Sequence, residues 1–457
     1  MQQLAPPSTL SMIGNTPLVP LHAFDTGSCE LFLKLESQNP GGSIKDRMAV
    51  AMIEEAERTG ALHPGQTLVE ATAGNTGIGL ALVAAIKGYS IILVIPDKMS
   101  PEKIAHARAL GADIRLTRSD VSPGHPEYYQ DVAARIARES PGVYHINQFS
   151  NPANPAAHEA TTGPEIWEQM DRDVDAIVCG VGSGGTLTGL SRYFARVQPR
   201  AEMVLADPEG SSLAEFVQTG RHLPSGSYAV EGIGGSCVPA IADLSRVRKA
   251  YSISDAESFQ TARELLKRTG IFAGSSTGTL LAAALRYCRE QGRHKRVVTF
   301  VCDTGAKYLS KMYNDYWMLD QGYIERPVTG NLRDLITRKY DEGAVITVSP
   351  TDPLLTAFQR MRLADISQVP VIDGGRCVGV LDESDLLLAV HDSESRFRDP
   401  VSSAMTSRLE TVAPEESLDR LYDILQRGLV ALVSDGEHFL GLITRADLLS
   451  YLRRRLQ

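Results

Sequence analysis

Residues 39–47 read Asn39-Pro40-Gly41-Gly42-Ser43-Ile44-Lys45-Asp46-Arg47 and set one lysine, Lys45, where a helix begins. Upstream, residues 30–36 (ELFLKLE) alternate apolar and polar side chains as a strand does, and downstream residues 46–58 carry apolar side chains at helical spacing. A lysine on such a strand-to-helix turn meets the partial positive charge of the helix N-terminus, and burial would oppose its charge further. Both effects favour the neutral amine, the form that attacks carbonyl carbon and makes a Schiff base. Taken alone, a solvated surface lysine is the commoner reading, so the loops that follow have to decide.

Outward from this turn, over residues 1–315, short β-rich runs alternate with helical patterns: TLVEA at 67–71, IILVI at 91–95, DAIVCG at 175–180, MVLAD at 203–207 and VVTFV at 297–301. That rhythm predicts an α/β domain with helices layered on a mostly parallel sheet. Ligands in such folds sit at the carboxyl ends of strands, which directs attention to the strand-to-helix loops.

Three loops stand out. Thr72-Ala73-Gly74-Asn75-Thr76-Gly77 leads from a strand into a helix expected at 78–87; amides at a helix N-terminus suit a carboxylate, and Asn75 adds a side-chain donor and acceptor. An ordinary capping turn reads the same way. In the second loop, residues 180–186 (GVGSGGT), four glycines leave amides free to converge on a phosphate. Gly180, Gly182 and Gly185 also match a GxGxxG dinucleotide fingerprint, with Asp207 ending the next strand, so a nicotinamide oxidoreductase stays open at this point. The third loop, Gly274-Ser275-Ser276-Thr277-Gly278, precedes a helix expected near Thr279, and a hydroxyl there either caps the helix or faces a ring nitrogen.

Residues 316–330 read as a connection, and beyond them a unit occurs twice, over 331–395 and 396–457. Thr347-Val-Ser-Pro recurs 64 residues later as Thr411-Val-Ala-Pro, and residues 379–385 (GVLDESD) recur 62 later as 441–447 (GLITRAD). Each copy reads helix, strand, strand, helix, the first over 353–363, 369–372, 378–381 and 384–390. A chain of 457 residues accommodates several domains. Its net charge of -9 argues against nucleic acid and anionic membranes as partners. No signal-peptide pattern or membrane-length apolar run appears, and the six cysteines form no CxxC pair, so a cytoplasmic protein without a metal centre is expected.

Taken together, NPGGSIKDR, EATAGNTGIGLAL, CGVGSGGTLTG, DPEGS at 207–211, VEGIG at 230–234 and the paired repeat resemble the cystathionine β-synthase family over nearly the whole chain. The resemblance implies the fold-type II pyridoxal-phosphate scaffold, related to the tryptophan synthase β chain and built of three-layer parallel-sheet subdomains, followed by two CBS repeats in a Bateman module. It implies that Lys45 holds pyridoxal 5'-phosphate covalently. Gly182, Ser183, Gly184, Gly185 and Thr186 would cradle the phosphate, with Asn75 beside the ring hydroxyl and Ser276 beside the ring nitrogen. Thr72, Ala73, Gly74, Asn75 and Thr76, with Gln148 and Gly232, would hold the substrate. The implied reaction replaces the β-hydroxyl of serine by homocysteine sulfur, with Lys45 moving the α-proton. Thr444 and Asp447 match the repeat's G-x-x-[ST]-x-x-D pattern for an adenosyl ligand, while the first copy has Asp382 in place of the hydroxyl. A homodimer or higher homo-oligomer is the expected assembly.

The chain departs from the family's commonest pattern at Ala73, where a serine is usual, and at Gly235, where animal members carry tyrosine. Animal members also bind haem through an N-terminal extension; only a short stretch precedes the catalytic block here, and no haem is expected. Cysteine synthase, which joins O-acetylserine and sulfide on the same loops, is the nearest alternative. A nucleotide-sensing protein with an inactive catalytic domain is disfavoured because Lys45, Asn75 and Ser276 are all in place.

Overall fold

The computed structural model describes residues 8–72, 74–221 and 224–454, which form two compact units, Met1–Asn314 and Asp315–Gln457. The first unit holds two sheets. One has four parallel strands in the order Asp113–Thr117, Ser90–Pro96, Thr67–Ala71, Val143–His145. The other has six, in the order Leu18–Pro20, Glu30–Lys34, Arg296–Phe300, Ala176–Cys179, Glu202–Pro208, Val247–Ile253, and only its first pair runs antiparallel. The inner strands are apolar along their length: all four residues of Ala176–Cys179 are buried, as expected of a parallel sheet covered on both faces.

The helix that opens at Lys45 spans Lys45–Arg58 and buries Met48, Ala49, Met52, Ile53 and Ala56, a single stripe at helical spacing. These side chains join the core of the four-stranded sheet with Leu68, Ile78 and Leu93, each fully buried Met, Ile or Leu contributing about 1.5–3 kcal/mol. Gly79 on the next helix, Asn75–Lys87, makes the contact close: a Cβ there would lie 3.2 Å from the Lys45 carbonyl oxygen. The core of the domain thereby fixes the direction in which Lys45 leaves the backbone.

Near the site, several element boundaries differ from the sequence reading, the helix expected at 78–87 beginning already at Asn75. The strand expected over 30–36 ends at Lys34, and Glu36–Gln38 forms a short 3-10 turn, because Glu36 is turned inward to bind Arg47. The helix expected near Thr279 starts at Ser275, since Gly274 is extended and the Thr277 hydroxyl accepts from Cys302 N. Ser276 therefore lies in the first helical turn. Gly278 allows the fit, as a Cβ would fall 1.8 Å from the Ser258 carbonyl oxygen.

The second unit carries the repeat. Leu354–Ala364, Gln368–Asp373, Arg376–Asp382 and Glu383–Val390 make one copy, and Leu418–Gln426, Ala431–Ser434, Phe439–Ile443 and Arg445–Arg454 the other. Each copy pairs its two strands as an antiparallel hairpin. The Thr-Val-[Ser/Ala]-Pro motif adds a parallel edge to each hairpin, as strand Thr411–Val412 beside Ala431–Ser434 and as the single bridge Val348 to Val371. The stretch expected as a connection opens with a helix, Asp315–Asp320, that belongs to this unit. Among the described residues, no helix is long and apolar enough to cross a membrane.

Candidate active site

The turn carrying Lys45 is locked from every side. Ile44 N donates to the Cys302 carbonyl at 2.9 Å, Gly41 N to the Asp46 carboxylate at 2.5 Å, and Lys307 Nζ to the carbonyls of Gly41 at 2.8 Å and Gly42 at 3.2 Å. Gly42 has φ +73°, which favours glycine. Below the turn, Arg47 forks onto Glu36 and Glu165, and Lys34 joins Glu165 at 2.7 Å. These buried ions are mutually satisfied, so removing one would leave an uncompensated charge and cost about 3–5 kcal/mol.

Lys45 itself is walled in by protein while its side chain lines a cavity of about 360 Å³, within the roughly 300–1,000 Å³ typical of small-ligand sites. Burial pushes its amine below the usual lysine range, against the raising pull of Cys302, Asp303 and Glu36. No described residue accepts a hydrogen bond from Lys45 Nζ. Burial that disfavours the ammonium form, in an amine without a protein partner, suits it to act as a nucleophile and a proton acceptor.

On the same cavity wall lie Thr72, Asn75, Thr76, Gln148, the loop 182–186, Gly232 and Ser276, brought together from the carboxyl ends of both sheets. Gly74 lies outside the wall; its φ of +115° and the side chain of Lys103, 2.6 Å from where a Cβ would be, hold that turn tight. Ala73 falls outside the described residues. Thr444 and Asp447 belong to the second unit, where the Asp447 carboxylate accepts from the hydroxyls of Thr444 at 2.6 Å and Thr337 at 2.5 Å.

Two helix N-termini line the same cavity as the amine. The Thr72 hydroxyl accepts from Gly74 N and Gly77 N, shaping a turn into Asn75–Lys87, whose first amides lack intrahelical partners. The loop 180–186 leads into the helix Gly185–Val197 in the same way. Here a Cβ on Gly185 would lie 1.9 Å from Asn154 Oδ1 and one on Gly182 2.3 Å from the Gly232 carbonyl, so only glycine keeps these amides bare. Ser183 Oγ accepts from Asn154 at 2.9 Å, leaving its own proton free, and Thr186 Oγ1 meets His158 Nε2 at 3.2 Å. Burial drives His158 well below the usual imidazole range, so it stays neutral beside an incoming anion.

Gln148 is engaged within the protein. Its Nε2 donates to Glu70 and to the Ala71 carbonyl, and its Oε1 accepts from Thr76 Oγ1 at 2.8 Å. Both side-chain protons are in use, so it shapes the turn and offers no spare donor. Asp207 is likewise turned inward. It accepts from Ala214 N at 2.8 Å, burial raises its carboxyl to about 6, and it does not line the cavity, which removes the ribose-binding acid that a dinucleotide fingerprint needs.

Sequence reading missed a cluster around Asn75. Its Nδ2 donates to Asp303 at 2.7 Å and its Oδ1 accepts from Lys307 at 2.9 Å, so both ends of the amide are fixed. Tyr308 also donates to Asp303, and Lys103 reaches both Tyr308 and Glu231. Burial pushes Glu231 up, yet Lys103 and Lys311 hold its carboxyl below the usual range. The signal was present: Asp303 follows a parallel strand at its carboxyl end, where functional side chains gather.

The chain matches the pyridoxal-phosphate dependent enzyme family over residues 9–303 and the CBS domain family over residues 332–392 and 401–454. Cystathionine beta-synthase of Mus musculus is 36% identical over 437 residues, covering 93% of this chain and 77% of the mouse protein. Among solved structures, a hydrogen sulfide-producing enzyme from Fusobacterium nucleatum is 36% identical with a TM-score of 0.62, covering 67% of this chain and 100% of that one. An O-acetylserine dependent cystathionine beta-synthase from Helicobacter pylori is 35% identical with a TM-score of 0.62, covering 67% of this chain and 98% of that one.

Proposed function

Since the chain belongs to the cystathionine β-synthase family of pyridoxal-phosphate dependent enzymes, we propose that it condenses L-serine with L-homocysteine to L-cystathionine and water. The observation that carries this reading is a buried, unpartnered lysine amine facing one cavity between two helix-borne anion sites. The walls suit the cofactor on their own chemistry: bare glycine amides and the Ser183 proton suit a phosphate ester, Lys45 an aldehyde, and the Ser276 hydroxyl a pyridine nitrogen. When bound, pyridoxal phosphate supplies an electron sink for the charge that develops at the substrate α-carbon.

The chain's own groups do the remainder. The turn that carries Thr72, Asn75 and Thr76 would hold the substrate carboxylate, and the fixed amide of Asn75 would meet the ring hydroxyl of the cofactor. Lys45 Nζ, whose charged form burial disfavours, takes the α-proton and returns it to the product. The Cβ–O bond of serine breaks with loss of water, and homocysteine sulfur bonds to the same carbon. A neutral hydroxyl at Ser276, unlike a carboxylate, would not hold a bound pyridine nitrogen protonated, which would favour replacement at Cβ over transamination.

The O-acetylserine dependent neighbour favours a second reading for the same site, with O-acetylserine as first substrate and sulfide as the competing second one. Assaying serine and O-acetylserine against homocysteine and sulfide separates the two. Lys45→Ala should lower turnover by at least ~10³-fold and abolish the yellow absorbance of the loaded enzyme; a colourless wild-type protein, or an active Lys45→Ala variant, would refute the reading. Six free cysteines suit a reducing cytoplasm, and a homodimer or larger homo-oligomer is the proposed assembly. In the repeats, Thr444 and Asp447 are proposed to hold the ribose of an adenosyl ligand.

A further inference from the structure

Among the described residues that line the cavity, the basic side chains are Lys45, Lys98 and Arg118, and the acidic one is Glu231. Three of these four are committed. Lys45 serves the reaction, Arg118 is gripped by Asp120 through two bonds of 2.8 and 2.6 Å, and Glu231 is shared by Lys103 and Lys311 at 2.6 Å each. Lys98 is different. Its ammonium holds no ion pair or hydrogen bond among the described residues and rests 5.3 Å from the centroid of the Tyr228 ring, exposed at the cavity rim.

Its backbone is nevertheless rigid. The Lys98 carbonyl accepts from Lys311 Nζ at 2.7 Å, Asp97 N donates to Thr117 O at 2.9 Å, and Met99 N closes a turn onto Pro96 O. The lysine stands at the carboxyl end of Ser90–Pro96, the strand directly beside Thr67–Ala71, about 4.8 Å away, which leads into the 72–76 turn. The reaction joins two amino acids, and each brings an α-carboxylate. On the reading above, the first is held by the turn that carries Thr72, Asn75 and Thr76, which lines the cavity with Lys45. The second amino acid must put its sulfur at Cβ, so its carboxylate end points outward to the mouth, where Lys98 is the free cation.

We propose that Lys98 binds the α-carboxylate of the incoming amino-acid thiol, forming a second carboxylate subsite at the cavity mouth that favours such a thiol over inorganic sulfide. This rests on the β-replacement reading above and names the group that distinguishes its two second substrates.

The test uses the loaded full-length enzyme with Lys98→Met, which keeps most of the side chain's bulk, and Lys98→Arg, which keeps the charge. Lys98→Met should raise KM for homocysteine about 10- to 100-fold, the factor expected for a lost charge-assisted hydrogen bond. The ratio of kcat/KM for homocysteine to that for sulfide should fall by the same factor, and Lys98→Arg should restore most of it. 3-Mercaptopropylamine, which is homocysteine without its carboxylate, should not distinguish wild type from Lys98→Met. Equal losses with homocysteine and 3-mercaptopropylamine, or an unchanged homocysteine KM, would overturn the subsite. Wild-type enzyme that consumes sulfide but makes no cystathionine would instead overturn the reading beneath it, a result visible before any variant is made.

Discussion

Lys307 shows how one side chain ties the Lys45 turn to Asn75, the proposed partner of the cofactor ring. Its three protons go to the carbonyls of Gly41 and Gly42 and to Asn75 Oδ1, so the Lys45 turn and the Asn75 amide share one anchor. Burial lowers its amine to about 8, against the raising effect of Asp303. A neutral lysine has two protons for three acceptors, and activity should therefore fall as pH rises through about 8. Lys307→Met should lose roughly tenfold in kcat/KM below that pH, for one charged hydrogen bond, and should lack the basic limb. Stability moves the other way. Between about 8 and the unfolded value of 10.5 the unfolded chain binds more protons, so this group makes the native state more stable as pH rises there. A kcat/KM profile and thermal melts of both proteins across pH 7 to 10 check each sign; an unchanged basic limb in Lys307→Met would exclude this role.

At the scale of elements, the site is built by helices that begin where parallel strands end. Asn75–Lys87 follows Thr67–Ala71, and Gly185–Val197 follows Ala176–Cys179, so their N-terminal amides converge on one cavity. Gly184 is the test of that geometry. It has φ +90°, and an added Cβ would lie 2.4 Å from the Ala242 Cβ. Gly184→Ala should destabilise the catalytic unit by about 2–5 kcal/mol through backbone strain and overpacking. Cofactor affinity, measured by absorbance titration, should fall with it. A variant that melts normally and binds cofactor at wild-type strength would show that the loop tolerates a different path.

For the molecule as a whole, the repeats are alike in fold and unlike in chemistry. In the second copy a hydroxyl at Thr444 stands beside the Asp447 carboxylate, bonded at 2.6 Å. In the first, Asp382 and Asp385 cap the same helix from each other's backbones, putting two carboxylates where the other copy has one. Burial and the charge of Asp382 raise the Asp385 carboxyl, and this copy lacks the hydroxyl that would pair with it at a ribose. Calorimetric titration with S-adenosylmethionine and with ATP should therefore report one site per chain. Asp447→Ala should abolish it, and Asp382→Asn, which keeps the cap, should leave it intact. The absence of heat from both ligands would remove the nucleotide role from these repeats.

Alternation, glycine spacing and internal repetition are local properties; they pointed to the parallel α/β unit, the doubled module and the loops that carry Lys45, Asn75, Gly182 and Ser276, while the roles of those residues came from the family resemblance. The partners of those positions depend on chain segments far apart. Lys34, Glu36 and Arg47 read as the polar side of a strand and a helix, yet the fold buries them around Glu165. Asp303 and Lys307 fix Asn75 across 228 and 232 residues of sequence. The family resemblance implies that Gln148 helps to hold the substrate, while the fold alone decides that its amide donates to Glu70 and to the Ala71 carbonyl. Nothing local to a polar residue says whether its hydrogen bonds go to water, to ligand or to the chain itself. That choice is made when the sheets close and desolvation forces every buried donor and acceptor to find its mate.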